Sequence, residues 1–137
     1  MEQVSMRLEH LALNVPDPDA MAQWYVAHLG MRVVRHAPTP NRTYFLADST
    51  GTSVIELYRN PAAPVPEYAA IAPLTLHLAF TTVDLAADLA RLVAAGAVPA
   101  GPSETTPAGD QLVFLRDPWQ VTIQLAQRQV PLLPGPG

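Results

Sequence analysis

The apolar and polar positions of this chain fall into two similar blocks, each opening with a strand-like run and continuing with a helix-spaced stripe. In the first block, residues 7–15 alternate as a strand does, and residues 19–29 carry apolar side chains at helical spacing. Asp17 or Asp19 is suited to cap this helix, and Gly30 to end it. Three further strands are predicted at residues 31–36, 43–48 and 52–58. The block therefore has the order βαβββ.

The same order returns in the second half of the chain. Residues 74–81 predict a strand, and residues 84–95 predict a helix whose apolar stripe includes Leu85, Leu89 and Leu92. Gly96 follows this helix as Gly30 follows the first. Three more strands are predicted at residues 98–100, 111–115 and 121–127.

Short identical phrases hold the two blocks in one register. The run His10-Leu11-Ala12 returns 67 residues later as His77-Leu78-Ala79. The run Ile55-Glu56-Leu57 returns in the same way as Ile123-Gln124-Leu125. Asp17 and Asp84 also match at the offset of 67 residues. Several matches in one register indicate a duplicated unit.

The 137 residues predict a single domain, residues 1–137, with the repeat inside it. Prolines mark the joints between its parts. We expect module one at 6–59, a linker at 60–73, module two at 74–128 and a loose tail at 129–137. The fold class is therefore α+β, with two tandem βαβββ modules forming a curved mixed sheet around a cleft.

Charge and composition exclude several classes of partner. The net charge is −4, and the eight Lys and Arg residues are scattered, so no nucleic-acid-binding face is expected. No apolar stretch reaches the roughly 20 residues that span a bilayer, and the first residues do not resemble a signal peptide. The chain has no cysteine, which suits a cytoplasmic protein.

Four polar positions in the repeat are candidates for a metal site. Glu56 and Gln124 alternate with apolar neighbours, so each lies on the strand face opposite to the one that packs under a helix. His10 and His77 occupy matching places before them. Two imidazoles and one carboxylate suit a divalent ion such as Zn, Ni, Co, Mn or Fe, and the glutamine oxygen can add a weak fourth ligand.

Several segments resemble the vicinal oxygen chelate superfamily, which includes glyoxalase I, bleomycin-resistance proteins and extradiol dioxygenases. The likeness runs over residues 6–128 and is nearest to glyoxalase I. It rests on the segments Met6-Arg7-Leu8-Glu9-His10, Trp24-Tyr25, His28-Leu29-Gly30-Met31, Glu56-Leu57-Tyr58-Arg59-Asn60, Asp117-Pro118 and Ile123-Gln124-Leu125.

The resemblance implies paired modules with a metal in the cleft between them, held by His10, Glu56, His77 and Gln124. It also implies an enzyme of the lyase or isomerase type that binds vicinal oxygens of a small organic substrate, and a homodimer. Pairing of the modules within one chain and exchange between two chains both stay open. Glu56 is the candidate base, because the amide of Gln124 cannot accept a proton as a general base does.

Departures from glyoxalase I weaken the expectation that glutathione is a cosubstrate. Gln124 stands where the family carries a glutamate, and Asn14 where bacterial members usually carry an arginine. Asn60 is retained from the thiol-binding set. The weaker candidates for the substrate pocket are Asn14, Tyr58, Asn60 and Trp119.

Two other functions compete with this reading. His10, His77 and Glu56 also form a two-histidine, one-carboxylate set of the kind that binds Fe(II), which allows an extradiol-type dioxygenase. A bleomycin-resistance-like protein would bind a drug without catalysis. Bound metal would favour the enzymes over this binding protein.

Overall fold

The computed structural model describes residues 3–133. The chain divides into two compact units, Met1–Pro66 and Glu67–Gly137. The division falls inside the proline-rich segment that the sequence predicts as a linker. Among residues 3–133, no helix is long and apolar enough to cross a membrane.

The first unit is a four-stranded mixed sheet with one helix. Its strand order is β1-β4-β3-β2, with β1 parallel to β4 and the other neighbours antiparallel. The elements are β1 (Leu11–Asn14), α1 (Pro18–Leu29), β2 (Arg32–Ala37), β3 (Thr43–Ala47) and β4 (Val54–Tyr58).

The second unit repeats this arrangement with one additional strand. Its order is β5-β9-β8-β6, β5 is parallel to β9, and β7 also pairs with β8. The elements are a 3-10 helix (Tyr68–Ala70), β5 (Leu78–Thr81), α2 (Leu85–Ala94), β6 (Val98–Pro99), β7 (Glu104–Thr105), β8 (Gln111–Arg116) and β9 (Thr122–Gln127). The predicted α+β class with two modules is therefore confirmed. The two-residue strand β7 was not predicted, because it is too short to show alternation.

The parallel ladders of the two units share one register. Leu11 pairs with Ile55 in the first unit, and Leu78 pairs with Ile123 in the second. Both first strands are shorter than the sequence predicts, since they begin at Leu11 and Leu78 rather than at residues 7 and 74. A strand needs a partner for its backbone groups, and here the partner strands begin only at residues 54 and 122. Each candidate histidine therefore lies one residue before its strand.

The helices begin at matching aspartates and pack on their sheets. Asp17 Oδ1 accepts a hydrogen bond from Ala20 N at 3.2 Å, and Asp84 Oδ1 accepts one from Ala87 N at 3.1 Å. Such caps contribute about 1 kcal/mol each. Gly30 ends α1 with a φ of 69°, which favours glycine. The largest fully buried side chains include Tyr25, Leu46 and Leu57 in the first unit and Leu92, Leu115 and Ile123 in the second.

Asp19 joins the start of α1 to β3. Its carboxylate accepts hydrogen bonds from the Tyr44 hydroxyl at 2.6 Å and from Arg42 Nη1 at 2.8 Å. The Tyr44 bond is the main reason that the pKa of Asp19 lies below its ordinary value, with burial opposing and Arg42 assisting. The same bond raises the pKa of Tyr44, because the donor must keep its proton.

The replacement Tyr44→Phe is expected to lower the free energy of unfolding at neutral pH. A carboxyl whose pKa is lower in the folded chain stabilises the fold above the pKa of the unfolded chain, and this contribution is lost as the pH falls through the folded value. The difference between wild type and variant should therefore shrink below about pH 4 in urea unfolding curves. In an Asp19→Asn background, Tyr44→Phe should have little additional effect. A difference that persists unchanged in acid would contradict the assignment.

Candidate metal-binding residues

His10 lies between two carboxylates of the first unit. Its Nδ1 is 2.9 Å from Glu9 Oε1, and its Nε2 is 3.3 Å from Glu56 Oε1. Because a carboxylate only accepts, Nδ1 donates its hydrogen to Glu9. A neutral His10 therefore has its lone pair on Nε2, directed toward Glu56.

Glu56 is the more enclosed of these two carboxylates. Its side chain is 18% exposed, whereas that of Glu9 is 86% exposed. On β4 it is the register partner of Ala12 on one side and Phe45 on the other. The small Ala12 side chain leaves room beside the carboxylate, and Phe45 also meets the ring of His10 edge-on at 5.5 Å.

His77 has a matching orientation in the second unit. Its Nδ1 is 2.8 Å from the carbonyl oxygen of Pro73, which can only accept, so Nδ1 carries the hydrogen. In a neutral ring Nε2 is then the nitrogen available to a ligand. A second contact that fixes the tautomer and orientation is typical of histidines that bind metals.

Gln124 is the register equivalent of Glu56. It is buried, and its partners are Ala79 on β5 and Phe114 on β8, as Ala12 and Phe45 are the partners of Glu56. Phe114 meets the ring of His77 at 5.0 Å. The sequence repeat therefore extends to two phenylalanines that the sequence analysis did not single out. Their spacing before Glu56 and Gln124, 11 and 10 residues, is the signal that could have identified them.

The donor chemistry of these residues fits a divalent cation. His10 Nε2 and Glu56 Oε1 are both acceptors when the ring is neutral, and at 3.3 Å they need a proton or a cation between them. His77 offers an oriented nitrogen, and Gln124 a neutral oxygen. Within residues 3–133, no three His, Asp or Glu side chains are grouped closely enough to hold a metal. The structure brings His10 to Glu56, and the four-residue set stays a prediction.

Asn14 has a structural contact that the sequence did not reveal. Its Nδ2 donates to the carbonyls of Asn60, Ala63 and Pro64 at 3.1–3.3 Å, and its Oδ1 accepts from Asn60 N at 2.9 Å. This buried amide fastens the segment that follows β4. The Asn60 side chain accepts from Ala62 N at 3.0 Å, as a turn residue does.

The other two weaker candidates lie beside the ligand strands. Tyr58 ends β4, and its carbonyl oxygen accepts from Val15 N at 2.8 Å. The backbone of Trp119 donates to Asp117 Oδ1 at 2.8 Å within the turn between β8 and β9. Contact of Asn14, Tyr58, Asn60 or Trp119 with a substrate stays a prediction.

The chain belongs to the superfamily described as Glyoxalase/Bleomycin resistance protein/Dioxygenase, whose family model matches residues 7–125. That range includes all four candidate ligands. No curated protein sequence matches the chain.

Several solved structures share the fold. A glyoxalase family protein from Bacillus cereus is 19% identical with a TM-score of 0.78, over 92% of this chain and 96% of that one. An antibiotic-binding protein from a Streptomyces species is 23% identical with a TM-score of 0.70, over 92% and 98%. A glyoxalase I mutant from Zea mays is 21% identical with a TM-score of 0.72, over 89% of this chain and 45% of that one. At these identities the likeness shows the fold alone.

Proposed function

We propose that this chain is a divalent-metal-dependent enzyme of the glyoxalase type, acting as a homodimer on a small organic substrate with vicinal oxygens. Its ligands would be His10, Glu56, His77 and Gln124. The matched orientation of the two histidines carries the proposal. Each stands one residue before the first strand of its module, and each has its Nδ1 engaged, which leaves Nε2 for a ligand.

The four ligands would give the site a net positive charge. Two neutral imidazoles, one carboxylate and one neutral amide leave a bound divalent ion with a charge of about +1. When bound, such an ion polarises a substrate carbonyl and stabilises the negative charge that develops on its oxygen. This chemistry acidifies the carbon–hydrogen bond next to the carbonyl.

Glu56 is the residue that would move the proton. Its carboxylate would take the proton from the carbon next to the carbonyl and return it to the neighbouring carbon. The enclosed position on β4 limits competing contacts with water. Gln124 would hold or orient the substrate and would take no part in the transfer, because an amide is not a base at neutral pH.

A drug-binding protein without catalysis is the second candidate. The observation that favours it is the neutral Gln124, which replaces a charged ligand of glyoxalase I and weakens the expected hold on a metal. A protein of the same fold, from a Streptomyces species, binds an antibiotic. The dioxygenase reading needs Fe(II) and a catechol, and oxygen uptake with that pair would favour it over proton transfer.

Elemental analysis of protein purified without chelators tests the proposal. We expect about one divalent metal ion per four-ligand set, and restoration of that content by titration after dialysis against a chelator. Less than roughly a tenth of an equivalent, with no uptake on titration, would leave the drug-binding protein as the better explanation.

A further inference from the structure

We infer that Arg116 is a positioning residue for His77. The inference rests on the proposed function, because His77 matters as a metal ligand only there. Arg116 ends β8 and lies outside the set of residues that the sequence repeat identifies. Its guanidinium connects the turn after β8 to the segment that leads into His77.

The contacts of Arg116 are three hydrogen bonds to backbone carbonyls. Nη1 donates to Tyr68 O at 2.9 Å and to Gln120 O at 3.0 Å, and Nη2 donates to Ile71 O at 3.0 Å. No ion pair of Arg116 occurs in the described part of the chain. The guanidinium therefore spends its fork of donors on holding backbone, and the bonds are charge-assisted.

The backbone held by Arg116 continues directly to the carbonyl that orients His77. The 3-10 helix at Tyr68–Ala70 closes with Ile71 N donating to Tyr68 O at 3.1 Å. A further turn follows, in which Thr75 N donates to Ala72 O at 2.9 Å. The carbonyl of Pro73, inside that turn, accepts from His77 Nδ1. Two carbonyls anchored by Arg116 thus precede Pro73 by five and two residues.

The two histidines differ in how firmly they are held. Glu9, which orients His10, is an exposed side chain with its own rotational freedom. Pro73, which orients His77, offers a backbone carbonyl in a segment that Arg116 ties to the sheet. We therefore assign His77 as the pre-organised ligand of the pair, with Arg116 as the reason. A lysine at 116 would keep the charge but lose the planar fork.

The test is the tautomer of His77 in metal-free protein, read by long-range proton–nitrogen NMR at about pH 8.5, where imidazole is neutral. Wild-type His77 should carry its hydrogen on Nδ1. Arg116→Gln should shift His77 toward a mixture with the Nε2–H form, and Arg116→Lys should shift it less. Should Arg116→Gln fail to fold, Arg116→Lys is scored alone, and any loss of the Nδ1–H form supports the inference.

The matched control is Arg128→Gln. Arg128 is another arginine of the second unit, and it pairs with Asp110 at 3.2 Å away from the segment before His77. This control should leave the His77 tautomer unchanged, whatever it does to stability. If Arg116→Gln destabilises the chain as Arg128→Gln does and leaves His77 on its wild-type tautomer, Arg116 has only a structural role and the inference is wrong.

A metal titration separates this inference from the proposed function. Loss of the orienting contact should weaken Co²⁺ binding by about 10–100-fold in Arg116→Gln, as is usual for partners of ligand histidines. If wild-type protein binds no Co²⁺ but the tautomer changes as expected, the proposed function fails while the positioning of His77 by Arg116 stands. If Co²⁺ binds equally well to wild type and variant, the inference fails and the proposed function stands.

Discussion

Replacing Glu56 with glutamine is expected to reduce proton exchange at the substrate carbon by about 10²–10⁴-fold, the usual contribution of a general base. The replacement is nearly isosteric, so the partners of Glu56 on β1 and β3 should be retained. What changes is that the chain then carries an amide at both repeat positions. The measurement is deuterium incorporation from heavy water into hemithioacetals and 2-substituted acyl thioesters, at saturating metal.

Glu104→Gln serves as the control for this variant. Glu104 is an exposed glutamate on β7, so its replacement removes the same charge without touching the candidate ligands. It should exchange protons at the wild-type rate. Wild-type activity in Glu56→Gln, with metal bound, would show that Glu56 is not the base and would remove the proton-transfer mechanism.

Removing either repeat histidine is expected to weaken metal binding by more than about 100-fold. That bound follows because even partners of metal ligands cost 10–100-fold when they are replaced. His10→Ala and His77→Ala should each show this loss in a competition titration with a metal-binding dye. The loss in His77→Ala should be the larger, because His77 is oriented by backbone and His10 by the exposed side chain of Glu9.

The chain offers its own controls, since it contains four histidines in all. His28 lies in the last turn of α1 beside Trp24, and His36 stacks on Tyr44 with ring centres 3.9 Å apart. His28→Ala and His36→Ala should leave metal affinity unchanged, whatever they do to stability. Equal losses in all four variants would mean that the titration follows unfolding or unspecific binding, and the ligand assignment would be refuted.

Local signals predicted most of the fold. Alternation and helical spacing depend on near neighbours, so both helices and all strands except β7 were identified, and Asp17 and Gly30 were identified as helix ends. Strand limits depend on a partner, and for that reason β1 and β5 start later than predicted. The contact of Asn14 with residues 60–64 joins positions 46–50 residues apart, and no local pattern signals it.

Duplication made the candidate site visible in the sequence. His10, Glu56, His77 and Gln124 recur at nearly constant spacing, so each copy supports the interpretation of the other. The phenylalanines beside the histidines needed the strand pairing, because Phe45 and Phe114 are defined by register and not by a repeated phrase. Arg116 could not be found from the sequence, since its carbonyl partners Tyr68 and Ile71 lie 48 and 45 residues away.

The sequence by itself determined the repeated βαβββ order, the superfamily resemblance and the asymmetry between Glu56 and Gln124. These are properties of residue identity and spacing, which need no folded chain. Only the tertiary structure decided which ring nitrogen of each histidine is left for a ligand. That choice depends on the atom that faces Nδ1, and for His77 this atom is a carbonyl oxygen placed by turns and by the hydrogen bonds of Arg116.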